Sequence, residues 1–292
     1  MLAGMTRAAL VAVVAGRIGT AAARRARPAP PPSLPTAGRA AAPADGPTAG
    51  RTKRRKQVLL LLARACMAAV MTRPTSPSAF RVPRPDGRYG PEEGEALSLL
   101  LLGDSLAAGV GVRSCEETTG AQLATALVQA TGRPVNLRVG ARPGATTRSV
   151  RTQSYDATGP GLAVVIVGGN DVLLPVRLSR SARRLGALVT RLRHDGWAVA
   201  AVTCPDYAAA TGVRPWIHTT AARRSRRLAR LQQEAAQDAG AHVIPLSADI
   251  FLRNPADMFS EDGCHPSARG YAAQITHCLP AVLEALPVRP PH

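Results

Sequence analysis

From residue 96 onward, hydrophobic and polar positions alternate between two patterns. Short, nearly continuous apolar runs are typical of strands that a parallel sheet buries on both faces. Longer segments with apolar residues three or four positions apart are typical of amphipathic helices. The predicted strands are Leu97–Leu102, Val135–Val139, Ala163–Val167, Ala198–Thr203 and His242–Leu246, and the predicted helices are Thr118–Ala130, Ser179–His194, Thr220–Ala239 and Ser267 to about Leu286.

The ends of these helices carry their own signals. Gly132, Gly196 and Gly240 directly follow the first three helical segments, where a left-handed cap is common, and Pro266 precedes the last. Strands that alternate with helices of this length form right-handed βαβ units. We therefore expect an α/β fold, a three-layer α/β/α sandwich around a parallel five-stranded sheet, whose ligands bind at the carboxyl ends of the strands.

Short polar signatures occur where the apolar runs end. A hydroxyl nucleophile needs a base, the base needs an orienting acid, and the developing oxyanion needs fixed hydrogen-bond donors. The chain offers one set of residues for all three roles. In chain order the signatures are Gly103-Asp104-Ser105-Leu106, Gly140, Gly168-Gly169-Asn170-Asp171 and Asp262-Gly263-Cys264-His265.

Ser105, His265 and Asp262 are the predicted catalytic residues. Ser105 directly follows the first apolar strand, so its hydroxyl can stand at the carboxyl edge of the sheet. Among the six histidines, His265 has an acid, Asp262, at a spacing that lets one loop present both groups. Cys264 lies inside the same loop, and we interpret it as a packing residue because a cysteine nucleophile would leave Ser105 unexplained.

The predicted oxyanion hole combines three donors. Asn170 offers side-chain N–H groups from a tight Gly-Gly turn, Gly140 lets the backbone approach a substrate oxygen, and Ser105 adds its own N–H. The alternative is that Asn170 supports its own turn. We expect three neighbouring residues to brace these loops without taking part in the chemistry: Asp104, Gly169 and Asp171.

Four blocks with these residues in this order resemble those of the SGNH/GDSL hydrolases. The resemblance covers roughly residues 96–286 and implies a flavodoxin-like fold and a serine hydrolase that cleaves carboxylic esters through an acyl-Ser105 intermediate. It also implies that neither a cofactor nor a metal is needed, and the sequence contains no zinc-protease, P-loop or Cys-x-x-Cys motif. The segments 86–90 and 107–111 look like those of bacterial esterases and lysophospholipases.

Two alternative functions remain open at this point. A carbohydrate O-deacetylase or an acyltransferase of the same family would share the acyl-enzyme. A catalytically idle basic binding module would instead use the Arg-rich helices, but their arginines lie opposite an apolar stripe and are more simply a solvent-facing side. Aromatic residues make up only 3% of the chain, which leaves little to stack on bases. We expect no nucleic-acid partner.

The formal net charge of +18 is concentrated in the first part of the chain. Residues 1–95 are interpreted as a basic leader and linker, 96–286 as the hydrolase domain and 287–292 as a tail. Residues 28–50 are rich in Pro, Ala and Gly and cannot bury enough surface to fold. The basic run 51–56 would attract anionic groups in a salt-sensitive way.

Two apolar stretches flank this linker, Ala8–Ala15 and Val58–Val70, and both are too short to span a membrane. An export signal, a surface-lying helix or neither remain open for them. We expect a monomer that is cytoplasmic or peripheral at the membrane, with at most weak association with anionic membrane surfaces through the leader. The five cysteines have no paired spacing, which favours neither a disulfide framework nor a zinc site.

Overall fold

The computed structural model describes residues 69–73, 82, 84–153, 160–246 and 248–287. The predicted linker, the basic run, the first apolar stretch and nearly all of the second lie outside the described residues, as does the tail beyond residue 287. Contacts group Cys66–His292 into one compact unit.

The described residues form a six-stranded sheet in the order β1-β3-β2-β4-β5-β6. Strands β2 to β6 run parallel, and β1 pairs antiparallel with β3, with Gly87 opposite Leu137. The strands are β1 Gly87–Tyr89, β2 Leu97–Gly103, β3 Val135–Val139, β4 Gly161–Ile166, β5 Trp197–Val202 and β6 His242–Ile244.

The five predicted parallel strands are all present, but the expectation of a purely parallel, five-stranded sheet is wrong. The added strand β1 contains only Gly87, Arg88 and Tyr89. It has no apolar run to reveal it, because it lies at the edge of the sheet and is mostly exposed. Asp86 extends the pairing, since its carboxylate accepts a hydrogen bond from the N–H of Val139 at 3.0 Å. The sheet therefore begins before residue 96.

The four long helices agree with the sequence pattern. Thr118 and Ser267 cap α2 and α9 by accepting hydrogen bonds from backbone N–H groups, and Gly132 ends α2 with a φ of 68°. Helix α6 begins at Pro215 rather than Thr220, with the proline in its first turn. The helices are α1 Ser105–Ala108, α2 Thr119–Thr131, α3 Thr147–Val150, α4 Gly169–Leu173, α5 Leu178–His194, α6 Pro215–Asp238, α7 Asp249–Leu252, α8 Pro255–Met258 and α9 Ala268–Glu284.

The alternation of side chains along β2 explains the three layers. Leu97, Leu99 and Leu101 point into a core shared with α2 and α9. Leu100 and Leu102 point into a second core on the opposite face, shared with α5. Because β2 is buried on both faces, it reads as a continuous apolar run.

The strand order also fixes where the site forms. Along the chain the parallel order reverses at β2, which lies between β3 and β4. Loops leaving adjacent strands on opposite sides of such a switch point open a crevice at their carboxyl ends. In the part of the chain that the structure describes, no helix has the length and apolar character needed to cross a membrane.

Candidate active site

Ser105 begins helix α1, directly after β2. The chain passes closely over β4 at this point, because a Cβ on Gly103 would lie 2.0 Å from the carbonyl oxygen of Ile166, and the φ of Gly103 is 151°. The side chain of Gln153 accepts from the N–H of Gly103 at 3.1 Å and donates to its carbonyl at 2.7 Å. The turn that presents Ser105 is thus fixed on both sides by backbone and by a buried amide.

Asp104 connects this turn to the end of β4. Its carboxylate is buried and accepts from the N–H of Leu106 at 3.1 Å and from the N–H of Gly168 at 3.2 Å. Burial raises the pKa of Asp104 to about 6, although the two backbone hydrogen bonds act in the opposite direction. Both contacts join the turn after β2 to the end of β4.

His265 lies between Ser105 and Asp262. Its Nε2 is 2.9 Å from Oγ of Ser105, and its Nδ1 is 2.6 Å from Oδ2 of Asp262. His265 and Asp262 are both buried, whereas Ser105 is partly exposed. With the ring proton on Nδ1 facing the carboxylate, the lone pair of Nε2 faces Oγ of Ser105. The three side chains therefore have the arrangement of a Ser-His-Asp triad.

The loop Ser260–His265 is built around the second oxygen of Asp262. Its Oδ1 accepts from the N–H of Cys264 at 2.8 Å, the N–H of His265 at 2.9 Å and Oγ of Ser260 at 3.0 Å. Burial alone would raise the pKa of Asp262, but the hydrogen bonds and the charge of His265 outweigh it and hold the pKa well below its usual range. Asp262 is therefore an ionised acceptor that orients the histidine.

Cys264 does not compete with Ser105 as a nucleophile. Burial, followed by the nearby charge of Asp262, raises the pKa of its thiol to about 12. A thiol with such a pKa stays protonated, and the thiolate is the reactive form. The interpretation of Cys264 as a packing residue agrees with this.

Asn170 stands in the first turn of α4, at the carboxyl end of β4. Its Nδ2 donates one hydrogen bond, to the carbonyl of Ala145 at 2.9 Å, and the amide carries a second N–H. Behind it, the hydroxyl of Tyr207 donates to the carbonyl of Gly169 at 3.2 Å. The amide is held by the loop after β3, not by its own turn.

Asp171 is fully buried and ties α4 to two neighbouring helices. Its Oδ2 accepts from the N–H of Thr147 at 2.8 Å, and its Oδ1 accepts from Oγ of Ser181 at 2.9 Å. Burial raises its pKa, and these hydrogen bonds counteract the rise. Asp171 thus connects α4 to α3 and α5.

The structure does not offer Gly140 as an oxyanion donor. Its N–H donates to the carbonyl of Leu101 at 2.9 Å and so continues the pairing of β3 with β2. This hydrogen bond argues against the predicted role of Gly140. Further along the same loop, Gly144 is exposed, has a φ of 79° and precedes Ala145, the acceptor of the Asn170 amide. Among the described residues, the N–H groups of Gly144 and Ser105 have no hydrogen-bond acceptor.

Sequence reasoning missed three residues that shape this site: Gln153, Tyr207 and Gly144. Gln153 and Tyr207 are buried polar side chains in irregular segments, where no periodic pattern marks them. Gly144 follows Pro143 in a turn-like Arg-Pro-Gly sequence, and this signal could have identified it. Over the described part of the chain, no three His, Cys, Asp or Glu side chains are grouped so that they could hold a metal ion.

Comparisons with known proteins identify the family of this chain. The profile of the GDSL-like Lipase/Acylhydrolase family matches residues 101–273. The GDSL-like esterase Rv1075c of Mycobacterium tuberculosis is 35% identical over 236 residues, which covers 75% of each chain.

Two solved structures share the fold. The lipase Lip_vut3 from a goat rumen metagenome superimposes with a TM-score of 0.54 at 18% identity, covering 64% of this chain and 97% of that one. The structure of TesA gives a TM-score of 0.53 at 18% identity and covers 65% and 99% of the two chains.

A serine at a strand end, hydrogen-bonded to a histidine that pairs with an acid on the same later loop, has the geometry of a hydrolase site. The chain belongs to the GDSL-like lipase/acylhydrolase family and is an ester-hydrolysing enzyme. The resemblance to SGNH/GDSL hydrolases is confirmed, and the hypothesis of a catalytically idle binding module is not retained.

Proposed function

We propose that the protein hydrolyses carboxylic esters with Ser105 as nucleophile, His265 as general base and acid, and Asp262 as the group that orients the histidine. The observation that carries this proposal is the continuous hydrogen-bonded chain from Oγ of Ser105 through the ring of His265 to Asp262, at 2.9 and 2.6 Å. The first distance lies within the range in which a proton can pass directly from serine to histidine, and the second is a short hydrogen bond that holds the ring.

In the first step, Oγ of Ser105 attacks the ester carbonyl while Nε2 of His265 takes its proton. Asp262 holds the tautomer that leaves Nε2 unprotonated and stabilises the imidazolium that forms. The tetrahedral intermediate collapses, His265 gives its proton to the departing alkoxide, and an alcohol leaves. Water, activated by the same Nε2, then adds to the acyl-serine and forms a second tetrahedral intermediate. When this intermediate collapses, a carboxylic acid is released and Ser105 regains its proton from His265.

We assign the oxyanion to three donors: the N–H of Ser105, the N–H of Gly144 in place of Gly140, and the second amide N–H of Asn170. The first two have no acceptor within the described residues, and Asn170 is aligned by its hydrogen bond to Ala145, the residue after Gly144. Donors fixed in advance stabilise charge that develops in the transition state at no cost in reorganisation.

The substrate is a small-molecule ester, and we extend this proposal to lipid esters. The basic leader then serves localisation, through weak attraction to anionic membrane surfaces, and takes no part in the chemistry. We propose a monomer that acts in the cytoplasm or at the membrane periphery and has no nucleic-acid partner. The alternative activity is that of a carbohydrate O-deacetylase or an acyltransferase, since both would use the same acyl-serine.

A series of p-nitrophenyl esters with increasing acyl length tests the proposal and measures the acyl site at once. We expect the wild-type protein to hydrolyse the short members and Ser105→Ala to lose nearly all of this rate. If Ser105→Ala kept the wild-type rate, the nucleophile would be another residue. Addition of a competing alcohol separates hydrolysis from transfer, because a transferase would yield a new ester in place of the acid.

A further inference from the structure

Residues 69–73, here called the N-terminal strap, lie far before the catalytic blocks in sequence but are held against the same unit. Val70 and Met71 are buried at 4% and 5% exposure in a cluster with residues of α4, α6 and the segment before α6. Burying two such side chains contributes about 1.5–3 kcal/mol each. This apolar contact fixes the strap on the molecule.

The strap pairs with residues 211–214, here called the bridging segment. Met71 and Val213 form an antiparallel bridge. The N–H of Thr72 donates to the carbonyl of Gly212 at 2.8 Å, and its Oγ1 donates to the same carbonyl at 3.0 Å. Arg214 closes the pairing, with its N–H on the carbonyl of Val70 at 2.8 Å and its Nε on that of Met71 at 2.9 Å.

On its other side, the bridging segment contacts the loop Ser260–His265. The N–H of Gly212 donates to the carbonyl of Gly263 at 2.7 Å, while its carbonyl accepts from Thr72, so one residue links the strap and this loop. The approach is close, because a Cβ on Gly212 would lie 1.9 Å from the carbonyl oxygen of Asp262. Arg73 reaches the loop directly and donates to the carbonyl of Glu261 at 3.3 Å.

The peptide that receives this contact is the one that turns the loop. Gly263 has a φ of 67°, and the next two N–H groups, of Cys264 and His265, both point at Oδ1 of Asp262. A shift of the Gly263 carbonyl therefore rotates the donors that aim the carboxylate at Nδ1 of His265. Positioning errors of about 1 Å in a catalytic group can cost on the order of 10²-fold in rate.

We propose that the N-terminal strap is a positioning element of the active site: through Thr72, Gly212 and Gly263 it sets the geometry of the Asp262–His265 pair. The strap touches neither substrate nor reacting atoms, and its effect on rate rests on the catalytic roles assigned above. Part of the segment predicted as leader therefore supports the active site and does not serve localisation alone.

Thr72→Pro in the full chain is the direct test, because it removes both the N–H and the hydroxyl that bond to Gly212. Thr72→Val removes only the hydroxyl and should have a smaller effect. We expect Thr72→Pro to lower kcat about tenfold or more with KM nearly unchanged.

A second variant, Gly212→Ala, perturbs the contact between the bridging segment and the loop Ser260–His265, and Thr72→Val decides the question about the strap if Thr72→Pro does not fold. The methyl group added in Gly212→Ala must displace the carbonyl of Asp262, so the same fall in kcat is expected. Gly132→Ala is the matched control, since it strains a left-handed glycine at the far end of α2 where an added Cβ meets nothing within 4 Å. Equal loss of kcat in this control would overturn the proposal.

The far-downfield proton resonance of Nδ1–H of His265 provides a readout that does not depend on ester hydrolysis. We expect it to shift or broaden in Thr72→Pro and Gly212→Ala and to be unchanged in the control Gly132→Ala. If kcat and this resonance both match wild type in folded Thr72→Pro, the strap has no positioning role. If instead the wild-type protein hydrolyses no ester, the proposed function fails while the resonance still tests the strap.

Discussion

Two buried carboxylates near His265 have opposite environments, and this difference separates their roles. Asp262 is surrounded by donors and a neighbouring imidazole, which keep its pKa well below the usual range against the effect of burial. Asp104 lies deeper, and burial raises its pKa to about 6 despite two backbone hydrogen bonds. The first is suited to hold a positive charge on His265, and the second is a structural link between β2 and β4.

Asp262→Asn should leave the fold intact and lower kcat roughly 10³–10⁴-fold near neutral pH. An amide can present its N–H to Nδ1 and so favours the tautomer whose Nε2 is already protonated. Steady-state kinetics with a soluble short-chain ester, together with the melting temperature as a control for folding, measure this effect. Turnover at the wild-type rate would mean that another acid serves His265.

Asn170→Ala should lower kcat roughly 10²–10³-fold with little change in KM, because an oxyanion donor acts mainly in the transition state. Kinetics on the same ester separate the two parameters. An increase in KM alone would instead make Asn170 a residue that binds the ground-state substrate.

Asp104→Asn should change how stability depends on pH. Because the folded pKa of Asp104 is raised, its contribution is present below the unfolded value of 3.8 and is lost as pH rises through about 6. Between about pH 5 and pH 7 the loss amounts to about 1 kcal/mol. Asp262 has a lowered pKa, so its contribution is lost only as pH falls and does not enter this window.

Urea unfolding of wild type and Asp104→Asn at the two ends of this window measures the effect. The quantity to compare is the difference in the free energy of unfolding between the two proteins at each pH. We expect the variant to gain on wild type as the pH rises, whatever its absolute stability. A constant gap across the window would show that Asp104 does not titrate there.

At the scale of elements, short helix α4 depends on a side chain that the sequence pattern assigned to a solvent face. Arg224 of α6 donates through Nε to the carbonyl of Val172 at 2.8 Å, and through one Nη to the carbonyls of Asp171, Leu174 and Val176 at 3.1–3.2 Å. It therefore satisfies carbonyls at the carboxyl end of α4, the helix that carries Asn170. Arg224 is half-buried as a result, and burial lowers the pKa of its guanidinium.

Arg224→Met should lower the free energy of unfolding by about 2–4 kcal/mol, because several carbonyls lose a charged donor. Arg227→Met is the matched control on the same helix, where the side chain is exposed, and should change stability by less than about 0.5 kcal/mol. Urea denaturation of both variants measures the difference. Equal stabilities would contradict the capping role.

Elements with a strong hydrophobic period were predictable, and those set by single contacts were not. The runs that became β2 and β4 are buried on both faces, so burial itself marks them in the sequence. Strand β1 is held by its partner β3 and by Asp86, contacts that no local pattern contains. At the site, Ser105, Asp262 and His265 were found because the chemistry demands their types and spacing.

The loop between β3 and α3 shows what could not be predicted from the sequence. Gly140 and Gly144 lie in one short loop, and either could give a close backbone approach. The pairing of the Gly140 N–H with Leu101 occupies that donor, and this pairing follows from the register of β3 on β2. Register is a property of the assembled sheet and is not written in the loop.

At the scale of the whole molecule, the compact unit Cys66–His292 contains every residue of the proposed site and the strap. A chain beginning at Cys66 should therefore hydrolyse soluble short-chain esters at close to the full-length rate. It should lose association with anionic vesicles at low salt, because the basic run 51–56 supplies about 1 kcal/mol per cation near a charged surface. Added salt should weaken vesicle binding of the full-length protein.

Vesicle co-sedimentation and ester kinetics on the two chains test this division of labour. Unchanged vesicle binding of the shorter chain would contradict the membrane role of the leader. A shorter chain without esterase activity would show that residues before Cys66 are needed for the site.

The most direct test of the central claim is covalent labelling by a fluorophosphonate, followed by intact-mass and peptide-mass measurement. A phosphonate reacts only with a serine that a neighbouring base activates, and loss of fluoride leaves a stable adduct on Oγ. We predict one adduct per chain, on Ser105, with no labelling of Ser105→Ala and strongly slowed labelling of His265→Ala. An adduct on another residue, or undiminished labelling of Ser105→Ala, would contradict the account.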